Sequence, residues 1–147
     1  MEIVPSICAE DDRRLVAQNV GLANSGDGRN GTRYSQHEPR LMLDLPGWYF
    51  EDGLIRRVYK TDGWPTTLML VGAIGFLAEA AYHHPDLSVT WGRITVKLST
   101  HSAGGITDKD FELARKIEDA ALWRPPAGSA FGAGTPNKFV RSGDPRT

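Results

Sequence analysis

Apolar residues in the central part of this chain repeat with two different periods, and the switches between them mark out the elements. From Thr66 to His84 they fall at Leu70, Val71, Ile74, Leu77, Ala78 and Ala81. That 3.6-residue spacing predicts a helix with one buried stripe. Pro65 suits its first turn, and Pro85 ends it because the residue before a proline avoids the α region. Alternation then takes over: Leu87, Val89 and Trp91 against Ser88 and Thr90, a turn at Gly92 and Arg93, then Ile94, Val96 and Leu98 against Arg93, Thr95, Lys97 and Ser99. Both stretches predict half-buried antiparallel strands. Upstream, Trp48 to Phe50 and Leu54 to Tyr59 are two further strands, joined by Glu51-Asp52-Gly53, a hairpin signal. Downstream, Thr107 is a helix N-cap with Asp108 and Asp110 in the first turn. Phe111, Leu113, Ala114, Ile117, Ala120 and Leu122 give that last helix its apolar side. Strand pair, helix, strand pair, helix predicts an α+β fold: a four-stranded antiparallel sheet with helices packed on one face, a ββαββα core.

That core is expected over residues 41–122, between two flexible extensions. In residues 1–40, expected to be partly disordered, Ala9 to Val20 has the marks of a short helix, with Glu10, Asp11 and Asp12 at its positive end and Gly21 at its stop. Asn24 to Gly31 follows as loop chemistry. It contains GxGxxG at Gly26, Gly28 and Gly31, but without the preceding strand and following helix that a dinucleotide site needs. His37 is expected at the surface. Residues 123–147 hold much Pro and Gly, and are expected to lie along the surface or be disordered, with Trp123, Phe131 and Phe139 pinning parts of them.

Composition narrows the function classes. The 147 residues suit one domain able to bury a core unaided. A net charge of −1, with acids and bases mixed along the chain, lacks the basic face of a nucleic-acid binder. The single cysteine, Cys8, is an incidental thiol that fits a reducing compartment. No basic region precedes an apolar stretch at the N-terminus, so no signal peptide is expected. The most apolar run, Leu68 to Ala81, is too short to span a bilayer and carries Gly72, Gly75 and Glu79. A cytoplasmic protein with neither membrane nor nucleic-acid partners is expected.

The chemistry concentrates in His83-His84-Pro85 and His101: three of the four histidines lie within 19 positions. Imidazoles titrate nearest neutral pH, so such a cluster can both give and take protons. Glu79 and His83 are four apart and are expected to share a helix face, the carboxylate orienting and charging the ring. His84 points roughly 100° away around the helix axis. Asp110 is a candidate orienter from the first turn of the last helix. Metal binding is the rival chemistry, but adjacent histidines diverge on a helix, unlike the i, i+4 pair of a zinc helix. A Ser-His-Asp hydrolase is weaker still, because there is no GxSxG elbow.

The pattern Glu79-x3-His83-His84-Pro85-x5-Trp91-x9-His101-x8-Asp110 resembles the signature of the pterin-4a-carbinolamine dehydratases. Leu98-Ser99-Thr100-His101, the Gly104-Gly105 pair and Thr107-x2-Asp110 strengthen the likeness, which covers roughly residues 46–120. The resemblance implies a four-stranded antiparallel sheet with helices on one side, a homodimer or homotetramer, and no metal or organic cofactor. It also implies dehydration of a 4a-hydroxytetrahydropterin to the quinonoid dihydropterin, in recycling of the tetrahydrobiopterin cofactor. By position, His83, His84, His101 and Glu79 match the family's catalytic residues, and Trp48, Asp110 and Trp91 its substrate-binding ones. His83 and His101 are expected to be the main acid/base pair, with His84 holding the hydroxyl or the ring. Tyr82 departs from the pattern, standing where relatives often carry a polar or acidic residue. Some relatives act instead as assembly factors for RuBisCO, and vertebrate ones stabilise a transcription-factor dimer. The assembly-factor alternative predicts degraded catalytic positions, whereas here the set is intact.

Overall fold

The structure, a computed structural model, describes residues 45–136 and 138–141. Strand β1 (Trp48–Glu51) and strand β2 (Leu54–Thr61) form the first hairpin. Asp52 and Gly53 at its tip have φ of 52° and 76°. Two left-handed residues in succession match the right-handed twist of the flanking strands, and Asp-Gly is among the pairs that adopt them at least cost. Helix α1 (Trp64–Ala81) follows, with Pro65 in its first turn. Strands β3 (Asp86–Thr90) and β4 (Arg93–Leu98) make the second hairpin, and helix α2 (Asp108–Leu122) closes the predicted core. The sheet order is β1-β2-β4-β3, antiparallel throughout, with Ile55 opposite Leu98 and Tyr59 opposite Ile94. The chain is an α+β protein, as its alternating periods predict.

One face of the sheet is buried. Ile55, Arg57, Tyr59 and Thr61 alternate with less buried neighbours along β2, and Ile94, Val96 and Leu98 do the same on β4. Both helices lie over this face: Thr67 of α1 hydrogen-bonds the Thr61 hydroxyl, and Glu118 of α2 meets Arg57 and Tyr59. Leu70, Ile74 and Ala78 form the buried stripe of α1, and Phe111, Ala114 and Ile117 that of α2.

Glu118 ties the sheet to α2. It accepts from Trp48 Nε1 at 3.1 Å, from the Tyr59 hydroxyl at 2.6 Å, and from Arg57 through Nε at 3.2 Å and Nη2 at 3.0 Å. Burial, and then the carboxylate it donates to, push the Tyr59 phenol well above its ordinary range. A buried ion pair of this kind is costly to break from one side, typically by about 3–5 kcal/mol, because the surviving charge stays buried. The guanidinium also explains Gly47: a Cβ there would stand 2.0 Å from Arg57 Nη1, at a φ of 86°.

Three features differ from the pattern-based expectation. Helix α1 stops at Ala81 rather than running to His84, because Tyr82 turns left-handed. On α2 the buried positions include Glu118, whereas Ala120 and Leu122 face outward. The C-terminal stretch folds back through consecutive tight turns and adds strand β5 (Val140–Arg141), which pairs with Lys60 and Thr61 of β2. Buried Val140 and half-buried Phe139 anchor it to the core. Among the described residues the sheet therefore has five strands. The helix expected over Ala9–Val20, the glycine-rich loop, Cys8 and His37 lie outside the described residues.

Candidate active site

The site is set by how α1 ends. Tyr82 adopts φ 48° and ψ 43°, a conformation unfavourable for a residue with a side chain. Its N–H bonds the Glu79 carbonyl, and the His83 N–H reaches back to that of Ala78 at 3.0 Å. Together these close the helix in a Schellman motif, the left-handed residue being tyrosine instead of the usual glycine. The reversal separates the two histidines. His83 turns inward, its side chain only 11% exposed, and His84 turns out with 58% exposed. Such strained conformations persist where the surroundings over-determine them, and they cluster at working sites.

His83 Nε2 lies 2.7 Å from Asp110 Oδ1. Asp110 is completely buried, which would be costly for an unsatisfied carboxylate. Its second oxygen, Oδ2, accepts from the Thr107 N–H at 2.8 Å and from the Thr100 hydroxyl at 2.8 Å. The Thr107 contact belongs to a capping box, Asp110 being the third residue of α2 with Thr107 as its cap. The positive end of α2 favours the same charge. Thr100 and Thr107 share a further hydroxyl hydrogen bond of 2.7 Å. Thr100 directly precedes His101, which opens a 3₁₀ turn over His101–Ala103. One buried carboxylate thus holds the end of α1, the residue beyond β4 and the start of α2 together. The segments carrying His83 and His101 converge on Asp110.

The remaining candidates are placed differently. Glu79 pairs with His84 at 3.0 Å on the surface, not with His83, because the left-handed Tyr82 breaks the i, i+4 relation that a continuous helix would have given. The Tyr82 ring meets the His84 ring edge-on at 5.9 Å. His101 is exposed. Trp48 is 5% exposed and spends its indole N–H on Glu118, away from the histidines. Trp91, 69% exposed, stands at the β3–β4 turn beside Gly63, at the opposite end of α1 from His83. The structure therefore brings His83, Asp110 and Thr100, the residue before His101, together, sets His84 and Glu79 alongside, and leaves Trp48 and Trp91 apart within one chain. A groove of about 670 Å³ opens beside His83 between α1 and α2, floored by Leu77 and Leu113 and flanked by Lys109 and Lys116. Of the four catalytic candidates only His83 lines it.

The family model described as pterin 4 alpha carbinolamine dehydratase matches residues 32–120. This chain belongs to that family. A relative from Aquifex aeolicus is 44% identical over 59% of this chain and 89% of its own length, and one from Roseiflexus sp. is 43% identical over 60% and 96%. Both carry names that assign them pterin-4-alpha-carbinolamine dehydratase activity provisionally. Among solved structures, a transcriptional coactivator/pterin dehydratase from Brucella melitensis is 30% identical, with a TM-score of 0.58 over 61% of this chain and 99% of its own.

Within the dehydratase-family domain, sequence reasoning underweighted two threonines. Thr100 and Thr107 satisfy the buried carboxylate, yet hydroxyls carry little signal by themselves. The capping-box spacing Thr107-x2-Asp110 was the available clue to one of them. The contact also predicts a tautomer. A carboxylate only accepts, so beside Asp110 the neutral ring of His83 is expected to carry its hydrogen on Nε2 and to leave Nδ1 as the acceptor. Long-range ¹H–¹⁵N spectra should show His83 as the Nε2–H form, and Asp110→Ala should restore a mixture. An Nδ1–H form in the native protein would contradict the assignment.

Proposed function

We propose that this chain dehydrates a 4a-hydroxytetrahydropterin, giving the quinonoid dihydropterin and water, by histidine general acid/base catalysis. Family membership supports the substrate class, and the observation that carries the chemistry is the inward-turned His83 held by a buried carboxylate. In the reaction the C4a–O bond breaks, and an acid protonates the departing oxygen, which leaves as water. A base takes a ring N–H proton, and the nitrogen electron pair forms the new double bond to C4a. His83, with Nε2–H committed to Asp110, offers Nδ1 as the base. His101 is the acid, and His84, steadied by Glu79, holds the hydroxyl. Asp110 acts through His83 as a positioning residue. No step requires a metal or an organic cofactor, and the role is recycling of a tetrahydropterin in the cytoplasm. Trp48 and Trp91 are the less supported members of the set, since neither reaches the histidines within one chain.

A stopped assay with chemically generated 4a-hydroxytetrahydropterin, read against the uncatalysed loss, tests this directly. Native protein should accelerate dehydration, and His83→Ala or His101→Ala should each lower the rate at least about tenfold with unchanged circular dichroism. Unchanged turnover in both variants would reject the assignment. Absence of any acceleration would favour the assembly-factor class.

The chain is further proposed to work as a homo-oligomer joined through α1. Only 28% of this apolar helix is buried, and Leu68, Met69 and Phe76 are 48%, 65% and 74% exposed along it. A soluble monomer rarely leaves so continuous an apolar face uncovered. Sedimentation should give a dimer or tetramer that Phe76→Asp dissociates. A native monomer, or an assembly indifferent to that change, would refute the interface.

A further inference from the structure

The residues beyond the family domain build a second cavity. After α2 the chain makes tight turns closed by Ser129 N–H to the Pro126 carbonyl, Gly132 N–H to that of Ser129, and Gly134 N–H to that of Phe131. Gly134 is required there, having φ 68° and room for no Cβ, since one would lie 2.9 Å from Pro125. The returning chain then docks as β5. Between these turns and the helix pair lies a cavity of about 460 Å³, within the range of small-molecule sites. It touches the first half of α1 and the last turn of α2, whereas the groove beside His83 runs along the other half of α1. Leu70 and Val140 line its base, and Trp123, Phe131 and Phe139 supply aromatic walls. Trp123 and Phe131 meet edge-to-face at 6.4 Å, yet stay 57% and 72% exposed, so a guest would cover apolar surface that the chain leaves bare.

Among the described residues one charged group lines this cavity. Arg124 sits over the Phe139 ring at 5.7 Å and donates through Nη1 to the Trp123 carbonyl. Among the described residues no carboxylate pairs with it, and no acid lines the cavity. A guanidinium has five N–H donors arranged to match a carboxylate. We propose that this C-terminal cavity binds a small aromatic carboxylate, the ring against the exposed surfaces of Trp123 and Phe131 and the carboxylate on Arg124. The aromatic and charged groups proposed to hold the guest belong to the extension, so the proposal stands or falls separately from the dehydratase reading.

Calorimetric titration of the full chain with 2-naphthoate and its neutral analogue 2-naphthamide tests the proposal, with the Trp123 indole N–H resonance as the reporter of place. The acid should bind one per chain, shift that resonance, and bind about tenfold more tightly than the amide, as one charge-assisted contact warrants. Arg124→Gln should erase the acid's advantage while leaving amide binding intact. Ala120→Phe, at an exposed position in the last turn of α2 on the cavity wall, should abolish binding of both while dehydration is unaffected. No saturable binding, which is also the outcome if a second copy or another segment of the chain fills the cavity, would overturn the proposal. So would equal affinity for acid and amide, or binding that survives Ala120→Phe.

Discussion

The buried carboxylate of Asp110 is the constraint on which the rest of the site depends. A charge excluded from water must be met by hydrogen bonds or it destabilises the fold. Here the donors come from three separated places: His83 two residues past α1, Thr100 two residues past β4, and the cap of α2. Satisfying the charge therefore fixes the relative positions of three element ends. The same contacts that stabilise the carboxylate also hold one imidazole in a single orientation beside a groove. Structure and proposed chemistry share one set of atoms, so neither can change without the other.

The second buried carboxylate, Glu118, has a different task. It draws donors from β1 and β2 toward α2 and keeps the helix at a fixed height over the sheet. Since Asp110 and Glu118 lie on the same helix, eight residues apart, the first can be placed accurately only because the second holds α2 down. Between them Phe111, Ala114 and Ile117 supply the apolar contact. Burial drives α2 onto the sheet, and the two acids decide its register.

Much of this was legible in the sequence, for reasons that differ by element. The Asp52-Gly53 turn and the Thr107 cap declare themselves locally, because each needs specific residues for its backbone geometry. The strand alternation at 93–98 was equally plain. Two failures have physical causes. Glu79 and His83 are correctly spaced for a helical pair, but a non-glycine residue in the left-handed region ended the helix between them, and nothing in a tyrosine announces that conformation. Glu118 sits where a charged residue normally faces water, and its burial follows from three donors brought together from the distant sheet. The C-terminal stretch, rich in Pro and Gly, concealed a two-residue strand whose only sequence signal was the Phe139-Val140 pair.

The claim that Asp110 works through His83 is tested most directly by a double-mutant cycle on the dehydration rate, comparing His83→Ala, Asp110→Asn and the two combined. If the carboxylate serves only to position that ring, the combined variant should be no slower than His83→Ala alone. Losses that multiply in the combined variant would show two independent contributions and contradict the account.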